Sequence, residues 1–358
     1  MATRVMIMAG GTGGHVFPAL AVARALRERG CEVSWLGSPD SFESRLVPQH
    51  DFPLDTIAVH RLRGQGLGGL LSAPFRLLRA MRQAVSVLRQ RRPQVVLGMG
   101  GFVAGPGGLV SRLLRIPLVI HEQNTLPGLT NRWLARIATR VLQAFPGAFP
   151  ESDRVRTCGN PVRPEIAALP PPEARMATAA EGPLRLLVMG GSLGAQALNE
   201  TVPRALARLD EARRPQVCHQ AGRGKLEATQ AAYREAGVEA RVVEFIADMP
   251  RALAEADLVI CRAGALTVSE LAAAGLASVL VPYPHAVDDH QTRNARYLSE
   301  AGAAVLLPQA ELKPERLAAL LGELDDRERL LAMAQRARER AMPQAVECVV
   351  ENCLEVVA

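Results

Sequence analysis

Short apolar runs, each long enough for one buried strand, alternate along the chain with stretches whose apolar residues recur at helical spacing. In the first half the runs cover residues 5–9, 32–36, 95–99, 118–121 and 140–144, and a helical stretch at 18–29 separates the first two. The second half repeats the pattern at 185–189, 217–220, 241–245, 258–261 and 278–281. Alternation of this kind predicts two series of βαβ units, each building a parallel sheet. Between them Pro146, Pro150, Pro161, Pro164, Pro170, Pro171, Pro172 and Pro183 crowd a segment with little periodicity, which reads as an inter-domain linker. In the tail, Val346, Val349, Val350, Leu354 and Val357 keep helical spacing and predict a final helix packed across the domain boundary.

Two glycine clusters end strand-like runs: Gly10-Gly11-Thr12-Gly13-Gly14 and Gly190-Gly191-Ser192-Leu193-Gly194. Glycine lets the backbone approach a phosphate or sugar closely, and the helix that follows presents unpaired N–H groups to negative charge. A cleft between two such units is the expected workplace. Neither cluster reads G-x-G-x-x-G, and the run ending Trp35-Leu36-Gly37 lacks the acidic residue that would hold an adenosine ribose, which argues against a nicotinamide or flavin enzyme.

The segment 257–275 predicts a strand ending at Cys261, a turn over 262–264 and a helix beginning near Thr267. A diphosphate at that helix start would meet free N–H donors, with Arg262 and the hydroxyls of Thr267 and Ser269 nearby. Glu270, read as lying on the first turn, suits a ribose diol. The same Thr267-x-x-Glu270 spacing fits a capping box, in which both side chains satisfy only the backbone. His15 follows the first cluster, and Pro18 suits the first turn of a helix. Its imidazole fits a general base at neutral pH, or alternatively caps and packs the helix start. Two further turns, 97–106 and 121–128, would emerge at the carboxyl edge of the first sheet beside the glycine loop. There Glu122 and Asn124 are candidate hydrogen-bonders to a sugar or acceptor, while Asn124 and Thr125 also suit a plain helix start.

The chain has 358 residues, 48% hydrophobic and 22% charged, enough for two cored domains. Cys31, Cys158, Cys218, Cys261, Cys348 and Cys353 are scattered without zinc-like spacing, which predicts reduced thiols in a cytosolic protein. No stretch approaches the roughly 18 apolar residues of a membrane span, and the apolar run before the first glycines is too short for a signal peptide. The net charge of +6 favours an anionic partner. From 70 to 88 the apolar residues Leu71, Phe75, Leu78, Met81, Val85 and Leu88 keep helical spacing among Arg76, Arg79 and Arg82. Such a helix either lies on an anionic membrane surface or faces its own core with snorkelling arginines. With two Trp, three Tyr and eight Phe, none interleaved with the basic run, nucleic acid is not expected.

Five co-linear motifs, at Gly10–Pro18, His121–Asn124, Gly159–Arg163, Gly190–Ala195 and Arg262–Glu270, together resemble the MurG family of bacterial N-acetylglucosaminyltransferases, over nearly the whole chain. The resemblance implies an α/β GT-B fold of two Rossmann-like domains facing a central cleft. It implies an N-terminal acceptor- and membrane-facing domain over 1–162, a donor domain over 163–340 and a C-terminal helix over 341–358. The reaction it implies is transfer of N-acetylglucosamine from UDP-GlcNAc, with inversion, to the 4-hydroxyl of the muramyl sugar of undecaprenyl-diphosphate-linked muramyl pentapeptide (lipid I to lipid II). The place it implies is the cytoplasmic face of the inner membrane, with peripheral attachment through Leu71, Phe75, Arg76, Leu78, Arg79 and Arg82. Carried over by motif, Thr12, Gly13 and Gly14 would border the diphosphate and transferred sugar, and Asn124 would touch that sugar. Arg163 and Ser192 would contact the donor's diphosphate region, and the backbone at Ile246 would read uracil. Ala265, Leu266 and Thr267 would hold uridine and phosphates, with Arg262, Val268 and Ser269 beside them. Glu270 would take the ribose hydroxyls and Gln291 those of the N-acetylglucosamine. His290 stands where some relatives carry Gln.

The expected mechanism is one in-line displacement, with His15 the first candidate base and Glu122 the second. No cofactor is expected, and no Asp-x-Asp metal site occurs in the donor region. A helix terminus alone contributes about 0.3–1 kcal/mol when exposed, so several donors must share the charge of the departing UDP. A dehydrogenase and a non-catalytic membrane-surface adaptor are the alternatives from other classes.

Overall fold

The computed structural model describes residues 2–59, 67–177, 182–191 and 193–357, without the side chains of 67–73 and 287. The chain divides into two compact units, Met1–Arg163 with Met342–Ala358, and Pro164–Ala341.

The first unit is built on seven parallel strands: β1 (Arg4–Met8), β2 (Glu32–Gly37), β3 (Leu54–Thr56), β4 (Val95–Gly98), β5 (Leu118–Glu122), β6 (Arg140–Gln143) and β7 (Val155–Thr157), in the order β3-β2-β1-β4-β5-β6-β7. β1 is apolar at consecutive positions because both of its faces are covered. Val5 and Ile7 join the core beneath helix α1 (Gly13–Glu28) and the C-terminal helix Ala345–Glu355. Met6 and Met8 join the opposite core, which takes in Ala84 and Leu88 of the helix Leu67–Arg91 and Val110 of the helix Ala104–Leu113.

The second unit carries six parallel strands, β8 (Arg185–Met189), β9 (Gln216–Gln220), β10 (Arg241–Val243), β11 (Leu258–Cys261), β12 (Ala277–Leu280) and β13 (Ala304–Leu306), in the order β10-β9-β8-β11-β12-β13. Leu186, Val188, Leu258, Ile260 and Val279 line one core with Leu198, Val202 and Leu317. In each sheet the strand order reverses beside the first strand, between β1 and β4 and between β8 and β11. In open parallel sheets ligands bind at the carboxyl ends of the strands at that reversal. Both glycine clusters leave from those ends.

Three expectations need correction. The proline-rich segment does hold the division between the units, at Arg163 and Pro164, but most of its described residues are packed structure rather than linker: those up to Arg163 belong to the first unit and supply β7, and those from Pro164 belong to the second. In the second unit it is pinned by Arg175, whose buried guanidinium donates to the carbonyls of Pro170, Leu253, Ala274 and Gly275. The cysteines are not all thiols, since Cys158 and Cys348 form a disulfide across a sequence separation of 190, which no local spacing reveals. The C-terminal helix that carries Cys348 belongs to the first unit and packs on α1, β4 and β5. Finally, α1 starts at Gly13, so Pro18 lies inside the helix rather than in its first turn and offers no N–H to the Gly14 carbonyl.

Candidate functional site

In the first unit the loop after β1 is held by an acid that the sequence reading missed. Glu43 is wholly buried and accepts hydrogen bonds from the Gly11 N–H (2.9 Å), the Ser38 N–H (3.0 Å) and the Ser38 hydroxyl (2.7 Å). Burial opposes its ionisation, but these bonds outweigh the desolvation and hold the carboxyl below the usual carboxylate range. Ser38 lies 5 residues away but Gly11 lies 32 away, so only the pairing of β1 with β2 brings the first glycine loop to this acid. Thr12 caps α1 from an extended backbone without a side-chain bond, which leaves the N–H groups of Gly13 and Gly14 pointing out of the helix start.

His15, on the first turn of α1, places Nδ1 at 3.0 Å from Gln123 Oε1. Gln123 follows β5 directly, and its Nε2 donates to the Met99 carbonyl at 2.8 Å. Gly100 has φ +95°, and a Cβ there would stand 2.6 Å from His15 Nδ1, so the turn after β4 must be bare backbone where the imidazole rests.

Glu122 is committed elsewhere. One carboxylate oxygen takes the Asn124 N–H (2.9 Å) and side-chain amide (3.1 Å), and the other takes the Gly128 N–H (3.1 Å) and the Asn131 amide (2.9 Å). With both oxygens occupied and only 3% exposure, Glu122 shapes the loop 123–128 and presents no lone pair to an acceptor hydroxyl. That geometry argues against Glu122 as base. His121 is fully buried, and desolvation pushes its pKa down to about 4 despite a 2.9 Å bond from Nε2 to the Gly159 carbonyl. Arg163 lies at the end of this unit with its guanidinium 5.8 Å from the Phe17 ring of α1.

In the second unit, Ser192 is outside the described residues. Around it the loop after β8 is tightly built. Gly194 has φ +69° and no room for a Cβ, which would meet the Ala221 carbonyl. Gln220 Nε2 donates to the Gly191 carbonyl at 3.0 Å and Asn199 Nδ2 to the Ala221 carbonyl at 2.9 Å. His219 completes the support through Asn199 (3.0 Å) and Tyr233 (2.9 Å), with burial driving its pKa down to about 4.

The helix expected near Thr267 begins two residues earlier, as Ala265–Ala274, and its N-cap is Gly264 with no side-chain hydrogen bond. The capping box is therefore absent. Thr267 is the third helical residue, and Glu270 lies on the second turn at 7% exposure, not on the first. Ser269 Oγ donates back to the Ala265 carbonyl at 3.0 Å. Leu266 stays partly accessible at the helix start.

Two other residues have different tasks from those expected. Val268 is wholly buried and its N–H bonds to the Gly264 carbonyl at 2.9 Å, so it is core. Arg262 donates to the carbonyls of Val281 (3.1 Å) and Pro282 (3.2 Å) and to Gln309 Oε1 (2.6 Å), which anchors the exit of β12 instead of offering the fork to an anion. Gln291, at the start of the helix His290–Ser299, accepts the Tyr283 N–H at 2.9 Å and ties the same loop to that helix. Ile246 is partly accessible in the loop after β10, next to an exposed Phe245.

The basic helix spans Leu67–Arg91. Its predicted stripe divides: Leu88 is buried, with Ala80 and Ala84, while Phe75 (77%) and Leu78 (48%) stand in solvent beside exposed Arg79 and Arg82. Arg76 is partly accessible, and the side chain of Leu71 is outside the described ones. The helix packs on Ala104–Leu113, which in turn packs on Leu129–Leu134, and these add exposed Leu113 and Trp133. Among the described residues no helix is long and apolar enough to cross a membrane.

The profile of the glycosyltransferase family 28 N-terminal domain matches residues 5–143, and that of the family's C-terminal domain matches 185–349. A protein of Marinobacter nauticus, named UDP-N-acetylglucosamine--N-acetylmuramyl-(pentapeptide) pyrophosphoryl-undecaprenol N-acetylglucosamine transferase, is 58% identical over 353 residues, covering 98% of this chain and 97% of its own. The protein of that name from Nitrosospira multiformis is 55% identical over the full length of both chains. The crystal structure of Acinetobacter baumannii MurG superposes with a TM-score of 0.86 at 46% identity over 99% of each chain. This chain belongs to glycosyltransferase family 28 and is a MurG-type member of it.

Proposed function

We propose that the protein transfers N-acetylglucosamine from UDP-GlcNAc to the 4-hydroxyl of the muramyl sugar on undecaprenyl-diphosphate-linked muramyl pentapeptide. The observation that carries the donor side of this reading is the start of Ala265–Ala274: a helix terminus at the strand-order reversal, without a side-chain cap, with Thr267 on its first turn and nearly buried Glu270 on the next. Such a terminus complements a diphosphate, and a carboxylate one turn further on suits a ribose diol. Gly13 and Gly14 of the first unit offer N–H groups of the same kind to the transferred sugar and phosphates. Asn124, held by Glu122, suits a sugar hydroxyl, and Ile246 suits the base.

The reaction is a single displacement. As the acceptor oxygen bonds to the anomeric carbon, the bond from that carbon to the UDP oxygen breaks, and the hydroxyl proton passes to His15. UDP leaves with the bonding pair, and the configuration inverts. Arg163, Ser192 and Gln291 complete the donor set in this reading, and His290 has no assigned part. The exposed Phe75 and Leu78 beside Arg79 and Arg82 support peripheral attachment to an anionic membrane, at the cytoplasmic face where a nucleotide-sugar donor is available.

Transfer of radiolabelled sugar from UDP-GlcNAc to a short-chain analogue of the lipid acceptor tests the activity. Labelled disaccharide is the expected product. Vesicle binding without turnover would instead favour the adaptor, and an absorbance change with a nicotinamide cofactor the dehydrogenase.

A further inference from the structure

We infer that Gln123 is a positioning residue that fixes the tautomer of His15, an inference that rests on reading His15 as the proton acceptor. Two hydrogen bonds leave the Gln123 amide one orientation. Its Nε2 donates to the Met99 carbonyl oxygen at 2.8 Å, an atom that only accepts. Oε1 therefore faces His15 Nδ1 at 3.0 Å, and a carbonyl oxygen only accepts there too. Nδ1 must carry the hydrogen, and Nε2 keeps its lone pair.

The surroundings make this arrangement firm. Gln123 is 2% exposed and Met99 fully buried, so water does not compete for either bond. The Gln123 backbone carbonyl is held by Asn160 Nδ2 at 3.1 Å, and bare backbone at Gly100 lies against the imidazole. Glu122 and His121, the ionisable residues that precede Gln123 in the chain, do not take over the role. Glu122 has both oxygens filled by its own loop, and His121 turns Nε2 to the Gly159 carbonyl. A neutral amide thus sets the tautomer without placing a negative charge behind the base.

The consequence for transfer is direct. With the hydrogen on Nδ1, Nε2 receives the acceptor's hydroxyl proton while the new C–O bond forms, and the resulting imidazolium keeps its Nδ1–H on Gln123. The other tautomer would present an N–H at Nε2, where it could accept no proton, and would set its Nδ1 lone pair against Gln123 Oε1.

Nitrogen-15 NMR of the full-length protein labelled at histidine, recorded on the neutral ring and assigned by comparison with His15→Gln, reads the tautomer without any change at Gln123. The expected spectrum has a protonated Nδ1 and an unprotonated Nε2 for His15. A protonated Nε2 would overturn the inference. Gln123→Met, close in shape but without either hydrogen bond, should lose that signature and lower kcat by at least about tenfold with KM for UDP-GlcNAc held. Gln123→Glu, which keeps an acceptor opposite Nδ1, should retain the signature. An unchanged kcat in folded Gln123→Met also overturns it. If His15→Ala keeps full turnover while the wild-type spectrum shows protonated Nδ1, the reading of His15 as base fails and the tautomer assignment stands.

Discussion

The Glu43 carboxylate accepts the Gly11 N–H at 2.9 Å, so a buried anion rather than a bound phosphate holds the back of the first glycine loop. An amide in its place would turn one of the two oxygens into an NH2 that faces either the Gly11 N–H or the Ser38 N–H and hydroxyl, donor against donor. Glu43→Gln should therefore lower the unfolding free energy of the first unit by roughly 2–3 kcal/mol, the range for hydrogen bonds to a buried charge. Urea unfolding followed by tryptophan fluorescence checks this, because Trp35 and Trp133 both lie in that unit. An unchanged midpoint would remove Glu43 from its anchoring role.

Acid should weaken the fold in two stages. His121 and His219 are buried neutral, each with its pKa driven down to about 4, while in the unfolded chain they charge near 6.5. Between those values the unfolded state binds more protons, so stability falls as pH falls, at up to about 1.4 kcal/mol per pH unit for each histidine. Glu43 has the opposite charge but the same direction of effect: its folded pKa lies below the unfolded one, so its contribution is present above the ordinary glutamate range and is lost as pH drops through the folded value. Midpoints in urea at pH 7, 6 and 5 should decline steadily for the first unit. A flat profile would mean that His121 is charged or solvated.

Glu270→Ala should weaken UDP binding about tenfold to a hundredfold, the loss of hydrogen bonds from ribose hydroxyls to a carboxylate. Calorimetric titration with UDP measures it, and the melting temperature of the variant separates lost contact from lost fold. Val268→Ala is the comparison: its side chain is core, so it should cost stability and leave UDP affinity largely intact. UDP binding at parental strength in Glu270→Ala would reassign that carboxylate to the interior.

The sequence carried the fold well where both faces of a strand are buried. Leu186–Met189 and Leu258–Cys261 are apolar at every position, and β8, which Arg185 opens, and β11 match the runs 185–189 and 258–261 residue for residue. The short edge strands Leu54–Thr56 and Val155–Thr157 escaped because one side of an edge meets solvent and three residues hold no period. Helix starts were misjudged by several residues at Gly13, where the first two helical residues are glycines and the Thr12 side chain makes no cap bond, and by two at Ala265, where the Gly264 cap has no polar side chain to mark the boundary. His15 and Glu270 are candidates that their motifs alone put forward. The long-range partners were not legible: Gln123 lies 108 residues from His15, and Glu122 looked like a base only until its loop closed around it.

The exposed apolar residues of Leu67–Arg91 give membrane attachment a quantitative test. Phe75 is 77% exposed, and its neighbours Arg79 and Arg82 are exposed with it. A helix that only covered its own core would turn the apolar side chains inward and leave the basic ones outward, as the C-terminal half of the same helix does with Ala80, Ala84 and Leu88. Each basic residue near an anionic surface contributes about 1 kcal/mol, so replacing Arg76, Arg79 and Arg82 together by Gln should cut partitioning onto phosphatidylglycerol vesicles by about a hundredfold. Phe75→Ser should weaken binding to neutral and anionic vesicles alike, because it removes apolar burial instead of charge. Flotation of the full chain with each vesicle type reads both effects, while transfer to a water-soluble acceptor should stay at the parental rate. Equal flotation of the triple variant and the parent would make this face an ordinary solvated surface.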